Sequence, residues 1–276
     1  MPDQAGSTEL RAALVTGAAS GFGRALALAL ARDGWQVWAC DLDEAGAQAT
    51  AAAIHAAGGA AEARALDVRE PGQWQALAAE LSYQPAALSL LINNAGVAAS
   101  GRLGELPLDE WRRVMDVNYW GAVHGCEALL PLLRRAPASA HIVNVASFLG
   151  FVNGPRMGAY SVSKAALIAL SENLYSDFAH EGLGITVLCP GFFESGMFAN
   201  TQFTRPAEQH RHARKLRMNA MAVDRLVSET LAAIGSRRLY LVTPFAPSRL
   251  AWWFKRLAPA AFLRRVARHE NARLDI

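Results

Sequence analysis

Cysteine is scarce in this sequence: Cys40, Cys126 and Cys189 stand at wide, unrelated spacings inside apolar runs. Three thiols so placed fit buried free cysteines in a reducing compartment better than a disulfide framework or a thiolate metal site, and no metal is expected. Long hydrophobic runs are missing as well, with nothing near the roughly 18 uninterrupted apolar residues of a spanning helix. The opening residues, Met-Pro-Asp-Gln-Ala-Gly-Ser-Thr-Glu, lack the charged-then-apolar pattern of a signal segment. A soluble, cytoplasmic protein is the expectation. The formal net charge of +3 is scattered, without the long basic block that tracks nucleic acid, so no nucleic-acid partner is expected. Internal repeats and low-complexity linkers are also lacking. The 276 residues, 52% of them apolar, fit one large α/β domain over 1–276.

What the sequence does contain is alternation. Short apolar runs at Ala12–Thr16, Gln36–Cys40, Ala61–Ala65, Ser89–Ile92, His141–Val145 and Ile185–Leu188 read as strands, with Leu239–Thr243 as a last one. Between them lie alanine- and leucine-rich segments at helical period: Gly23–Asp33, Glu44–Ala57, Pro71–Leu81, Leu108–Leu133 and Tyr160–Glu181. Continuously apolar strands alternating with helices predict a doubly wound parallel sheet covered on both faces. Ligands of such sheets bind at the carboxyl ends of the strands. Gly17, Asp41, Asp67, Asn93, Ser147 and Pro190 each follow a predicted strand.

The turn Thr16-Gly-Ala-Ala-Ser-Gly-Phe-Gly23 joins the first strand to a helix. Gly17, Gly21 and Gly23, with Ser20 and Phe22 between them, let backbone approach a pyrophosphate and aim the helix N-terminus at it. Asp41, ending the second strand, stands where a carboxylate accepts from both hydroxyls of an adenosine ribose and repels a 2′-phosphate. Ser20 and Leu42 place no cation there to offset it. NAD is therefore favoured, with NADP the alternative. Asp41 also reads as a helix N-cap, and Asp43 is a candidate for either task. After the third strand, Asp67 and Val68 stand where an adenine amino group and ring would meet them. Asn93, Asn94, Ala95 and Gly96 give a tight turn of small and polar residues after the fourth, which is also ordinary turn chemistry.

Ser147, Tyr160 and Lys164 place three chemically distinct groups at fixed offsets. Tyr160 and Lys164 lie one turn apart on one helix face, so the ammonium comes within reach of the phenol. Read singly, they are an exposed helix pair and a capping serine. Together with the glycine turn, Asp67, Asn93–Gly96, Asn118 and Pro190-Gly191, they resemble the short-chain dehydrogenase/reductase family over residues 10–200. That resemblance implies a Rossmann-like fold of about seven parallel strands, a nicotinamide cofactor, and oxidoreduction between an alcohol and a carbonyl. It further implies catalysis by Asn118, Ser147, Tyr160 and Lys164, with Asn118 binding a water that links Lys164 to solvent. Pro190, Gly191 and Phe193 join the cofactor-binding residues. Where the family usually has Thr after Pro-Gly, this chain has Phe192-Phe193-Glu194-Ser195, and Ser195 keeps the hydroxyl that would bind the nicotinamide carboxamide.

The chemistry expected is hydride transfer between a carbinol carbon and nicotinamide C4, with Tyr160 exchanging the hydroxyl proton. A phenol titrating near 10 must shed its proton near neutrality, a shift of about 4 kcal/mol. A desolvated Lys164 and the nicotinamide cation are the sources of that stabilisation, and Ser147 would bind the substrate oxygen. Phe148, Leu149, Phe151, Met157, Phe192, Phe193, Met197 and Phe198 give the site an apolar neighbourhood, hence an apolar secondary alcohol or its ketone or aldehyde as substrate. Alternatives are a catalytically silent cofactor-binding regulatory protein, an NADP-dependent carbonyl reductase, and epimerisation or dehydration through transient oxidation.

Residues 192–221 resemble the family's variable substrate lid, here basic. Residues 244–276 form a C-terminal extension in which Trp252, Trp253 and Phe254 mix with Lys255, Arg256, Arg264 and Arg265 around Pro259. This is the composition of a basic amphipathic helix pair, which either docks on its own protein or makes weak peripheral contact with a membrane. The family resemblance implies a homodimer or homotetramer through Leu108–Leu133 and Tyr160–Glu181.

Overall fold

The structure, a computed structural model, describes residues 10–136, 140–193, 197, 201–206, 208–210, 213 and 221–271. Its centre is a parallel sheet of seven strands in the order β3-β2-β1-β4-β6-β7-β9. These are β1 (Arg11–Thr16), β2 (Gln36–Asp41), β3 (Ala61–Ala65), β4 (Ala87–Asn93), β6 (His141–Val145), β7 (Gly184–Pro190) and β9 (Tyr240–Thr243). Strand order reverses between β1 and β4, and a cleft opens where their carboxyl ends diverge.

Strands β4, β6 and β7 are buried along almost their whole length, which is why apolar residues stand on both of their faces instead of alternating with exposed polar ones. The edge strand β3 carries Glu62 and Arg64 and is partly exposed. Successive side chains of β1 serve opposite layers. Ala13 and Val15 meet Leu26, Leu30, Ile54 and Leu226 from α1 (Gly21–Arg32), α2 (Glu44–Ala56) and α8 (Val223–Gly235). Ala12 and Leu14 meet Trp74, Leu129 and Leu174 from α3 (Pro71–Ser82), α5 (Gly121–Leu133) and α7 (Gly158–Phe178). Each fully buried Leu or Ile adds about 1.5–3 kcal/mol of transfer energy.

All seven expected strands form, and β4 and β7 each extend beyond the sequence boundaries. The segment Leu108–Leu133, expected as one helix, is three pieces in succession: α4 (Leu108–Met115), a π-helical turn (Asp116–Trp120) and α5. The Gly121 amide donates to the Asp116 carbonyl, five residues back. Apolar periodicity does not reveal a one-residue change of hydrogen-bond register. The short helix α6 (Phe148–Val152), the strand pair β5 (Ala99–Ser100) with β8 (Gln202–Phe203), and α8 were also not assigned from the sequence. The C-terminal extension forms the expected pair, α9 (Phe245–Leu257) and α10 (Pro259–Asn271), divided before Pro259.

The three thiols are free and buried. Burial pushes Cys40 and Cys126 up to about 12, which keeps them protonated and inert. Among the described residues, no helix is long and apolar enough to cross a membrane.

Candidate active site

The cleft at the β1/β4 divide has a volume of about 560 Å³ and is walled by the glycine turn, the ends of β2 and β3, the loop after β4, and Tyr160 and Lys164 of α7. The turn is shaped by its glycines for different reasons. Gly17 has φ +67°, a left-handed conformation. Gly23 has no room for a side chain, since a Cβ there would stand 2.1 Å from the Gly17 carbonyl oxygen. The loop after β4 holds the turn from the other side. Asn94 Nδ2 donates to the Thr16 carbonyl at 2.8 Å, and the Asn94 and Ala95 amides donate to Thr16 Oγ1 at 2.9 and 3.0 Å. Thr16, given no task of its own in the sequence, is the joint between the two loops.

The sequence left open which of Asp41 and Asp43 caps the following helix, and both line the cleft. Asp43 caps α2, accepting from the Gly46 amide at 3.1 Å. Asp41 faces the cleft, with Oδ2 accepting from the Ala19 amide at 2.9 Å and Oδ1 from the Asp43 amide at 3.0 Å. Its carboxylate is thus fixed against the glycine turn. The cations along the cleft wall are Arg69, Arg113 and Lys164. Arg69 is paired with Asp67, Arg113 with Glu110, and Lys164 with a backbone carbonyl.

Two candidates serve differently from the sequence reading. Asp67 reaches the cleft, but Arg69 grips both its carboxylate oxygens and lowers its pKa, so an adenine amino group would meet a carboxylate already engaged. Asn93 is buried on the far side of the strand end, where its Nδ2 donates to Asn144 Oδ1 at 2.8 Å, and it is absent from the cleft wall. Side chains alternate along β4, so Asn93 and Asn94 cannot both face the same way. Ser20, Phe22, Leu42, Val68, Ala95, Gly96, Pro190 and Phe193 all line the cleft; Gly191 lies just behind it, its amide on the Thr243 carbonyl at 2.7 Å. Ser195 lies outside the described residues.

Tyr160 is buried at the end of the cleft beside Met157, Leu149 and Met197. Burial pushes its phenol up to about 12, and the neighbouring Ser147 pulls the other way. Ser147 ends the chain's passage out of β6. Its Oγ also accepts from the Leu149 amide at 3.1 Å as the N-cap of α6, so the capping role and the site role belong to one side chain. Lys164 lies one turn after Tyr160, its Nζ 5.8 Å from the phenol ring centre and donating to the Val145 carbonyl at 2.7 Å. Desolvation brings this lysine down to about 8. Bringing the phenol from about 12 to neutrality needs about 7 kcal/mol, more than an exposed tyrosine would.

Asn118 sits in the π-turn with both amide protons and one acceptor site of Oδ1 engaged. Oδ1 accepts from the Val97 amide at 2.8 Å, while Nδ2 donates to the Val97 carbonyl and to Ser163 Oγ, both at 2.9 Å. It thereby ties the loop after β4 to α7, a bracing task the sequence did not reveal. A Cβ on Gly96 would stand 3.3 Å from Asn118 Oδ1 and 3.4 Å from Lys164 Nζ, so glycine keeps the space between those two groups clear.

The apolar surroundings also divide. Met157, Leu149 and Met197 gather at Tyr160, and Phe193 packs edge-on against Phe22 on the cofactor side at 5.9 Å. Phe148 and Phe151 instead pack away from the cleft, Phe151 against Tyr240 and Trp252. Phe198 lies outside the described residues. Arg156, the one cation close to Ser147 in sequence, is buried in ion pairs with Glu208 and Glu105.

A glycine turn with Tyr160 and Lys164 on the walls of the same cleft, at the carboxyl ends of a parallel sheet, is the arrangement of dinucleotide-binding oxidoreductases. Residues 11–206 match the family model described as short chain dehydrogenase, and the chain belongs to the short-chain dehydrogenase/reductase family. It is 34% identical over 263 residues to the probable oxidoreductase EphD of Mycobacterium tuberculosis, covering 92% of this chain and 44% of that protein. The chain thus spans less than half the length of that relative. It is 35% identical to the 1-deoxy-11-beta-hydroxypentalenate dehydrogenase of Streptomyces exfoliatus, over 84% of this chain and 82% of the relative. A short-chain dehydrogenase/reductase from Burkholderia phymatum, solved in complex with NAD, superposes with a TM-score of 0.81 at 32% identity, over 97% of this chain and 95% of that one. A short-chain dehydrogenase from Sphingobium yanoikuyae in complex with NADPH shares the fold, with a TM-score of 0.75 at 24% identity over 97% and 96% of the two chains.

Proposed function

We propose that the protein is an NAD-dependent oxidoreductase interconverting an apolar secondary alcohol and its carbonyl, with Tyr160 as general acid and base. The observation that carries this reading is the burial of the Tyr160 phenol near Ser147, one helical turn from the buried Lys164 and at the end of the cleft that the glycine turn enters. A nicotinamide bound there supplies the hydride acceptor for oxidation and the donor for reduction. Tyr160 takes the alcohol proton or returns it. Ser147 donates to the substrate oxygen and to the phenolate, stabilising charge on whichever carries it. Lys164 holds its cation in a desolvated position where it lowers the energy of the phenolate. Asn118 sets the spacing between α7 and the cleft loop, and a water passing protons from Lys164 belongs beside it.

NAD is preferred because Asp41, fixed against the glycine turn, offers ribose hydroxyls an acceptor and a 2′-phosphate a repelling charge. The cleft cations nearest the adenosine end are already paired. The apolar substrate class rests on Leu149, Met157 and Met197 around Tyr160, and the relative from Streptomyces exfoliatus is named for a hydroxylated substrate, 1-deoxy-11-beta-hydroxypentalenate. Assembly as a homodimer or homotetramer through α4–α5 and α7 is supported by the exposure of Leu108, Trp120, Val162 and Tyr175. Three buried thiols fit a cytoplasmic setting.

The test is turnover of apolar secondary alcohols and ketones with NAD and NADP side by side. Tyr160→Phe is expected to lower kcat by about 10²–10⁴-fold while NAD still binds. Most activity retained in that variant, or tight NAD binding without turnover of any alcohol or ketone by the wild type, would overturn the assignment.

A further inference from the structure

Leu250, Trp253, Phe254 and Leu257 stand at i, i+3, i+4 and i+7 of α9, the spacing of a single apolar stripe. A helix resting on its own protein turns such a stripe inward. Here it faces out, with these side chains 74, 51, 38 and 77% exposed. The inward face is the other one: Ser248 is buried, Trp252 lies against Phe151 at 4.8 Å, and Lys255 Nζ donates to the Phe151 carbonyl. Helix α10 leaves most of the stripe open. Its Phe262 meets Phe254 edge-on at 5.6 Å, and exposed Leu263 extends the apolar surface.

The charge along these two helices is predominantly positive. Across Phe245–Asn271 stand Arg249, Lys255, Arg256, Arg264, Arg265 and Arg268 against Glu270 alone. Of these, Arg256, Arg264, Arg265 and Arg268 are exposed. A second copy meeting this face by two-fold symmetry would set two such groups of cations against each other. A surface of lipid phosphates would meet them with opposite charge, while Leu and Phe enter the acyl boundary and Trp stays at headgroup level.

We propose that α9 and α10 form a docking surface for an anionic phospholipid bilayer. Because α9 rests on α6, whose first turn Ser147 caps, the docked bilayer lies one helix away from the catalytic serine. None of the described residues lining the cleft comes from α9 or α10, so the surface can be altered without touching the site.

The test is co-sedimentation of the full chain with phosphatidylcholine vesicles, with and without phosphatidylglycerol. Two variants accompany it: Leu250→Glu with Trp253→Glu and Leu257→Glu, and Arg256→Glu with Arg264→Glu and Arg265→Glu. Circular dichroism and cofactor binding establish that each is folded. The expected result is binding to phosphatidylglycerol vesicles at least about tenfold tighter than to phosphatidylcholine alone, weakened by salt, and reduced about tenfold or more in either variant. No binding by the wild type, or binding by both variants as tight as the wild type's, would overturn the proposal. So would a stripe variant that changes only the sedimentation mass of the protein, since the stripe would then be an interface between copies of this chain.

Discussion

Lys164 Nζ donates to the Val145 carbonyl at 2.7 Å, which holds the ammonium at the end of β6 and 5.8 Å from the centre of the Tyr160 ring. On the proposed mechanism its influence on the phenol is one of charge at that distance. Lys164→Met should lower kcat/KM for alcohol oxidation and move the rising limb of its pH profile upward by about one unit or more, because the phenolate loses a neighbouring cation. The sign follows from the chemistry: oxidation needs the deprotonated phenol and rises with pH, while carbonyl reduction needs the protonated form and falls. A limb that stays in place in the variant would remove Lys164 from the electrostatics of the phenol.

Asp41→Asn keeps the acceptor for the Ala19 amide and removes the charge. The ratio of kcat/KM for NAD to that for NADP should fall by about 10–100-fold, the scale of one charge acting on a phosphate near a protein surface. Steady-state kinetics with both cofactors read this directly. An unchanged ratio would mean that specificity lies elsewhere.

His141 is buried in β6, its Nε2 hydrogen-bonded to Thr186 Oγ1 at 2.8 Å, and desolvation followed by the Arg237 charge brings its pKa down to about 4. Its unfolded value is near 6.5. The folded state therefore refuses a proton that the unfolded chain accepts, so stability is fully present above about pH 6.5 and falls by about 3 kcal/mol as pH drops towards 4. Urea midpoints measured from pH 4 to 8 should show that slope, and His141→Gln should flatten it. Equal slopes in the two proteins would assign the acid loss to other groups.

Arg156 lies buried beside Glu208, to which Ser100 Oγ also donates at 2.7 Å, and its Nη2 donates to Thr204 Oγ1 at 3.0 Å. These contacts fasten the segment after β8 to the loop that leads into Tyr160. Arg156→Met leaves a buried carboxylate without its main counter-charge and should cost about 3–5 kcal/mol in a urea titration. The double variant Arg156→Met with Glu208→Leu should recover much of that. Failure to recover would indicate that the contact specifies geometry beyond charge balance.

Much of this arrangement was legible in the sequence because chain spacing and spatial spacing coincide there. Tyr160 and Lys164 share a helix face, and Ser147 ends a strand, so their juxtaposition needed no long-range information. The same holds for Gly17–Gly23. Other assignments depended on which way a side chain turns. Asp41 and Asp43 are two residues apart and chemically identical, and what distinguishes them is the backbone donor each meets, the Ala19 amide for one and the Gly46 amide for the other. Asn93 and Asn94 differ in face because a strand alternates. Phe151 stands in sequence close to Ser147, yet a short helix carries it round to α9, a turn for which five residues give no periodic signal. Asn118 was assigned by resemblance, but its grip on Val97 and Ser163 depends on the π-turn.

That turn makes the helix from Leu108 to Leu133 a counted object. A π-turn holds one residue more than the α-helix around it, and each residue of an α-helix advances the face by about 100°. Removing any one residue between Asp116 and Trp120 would let the helix relax into regular register and swing Asn118, or everything before it, away from Val97 and Ser163. Substitutions in this helix change one side chain at a time, whereas a single deletion would change the angle between two halves of the site. The helix can therefore tolerate many changes of composition but not a change of length.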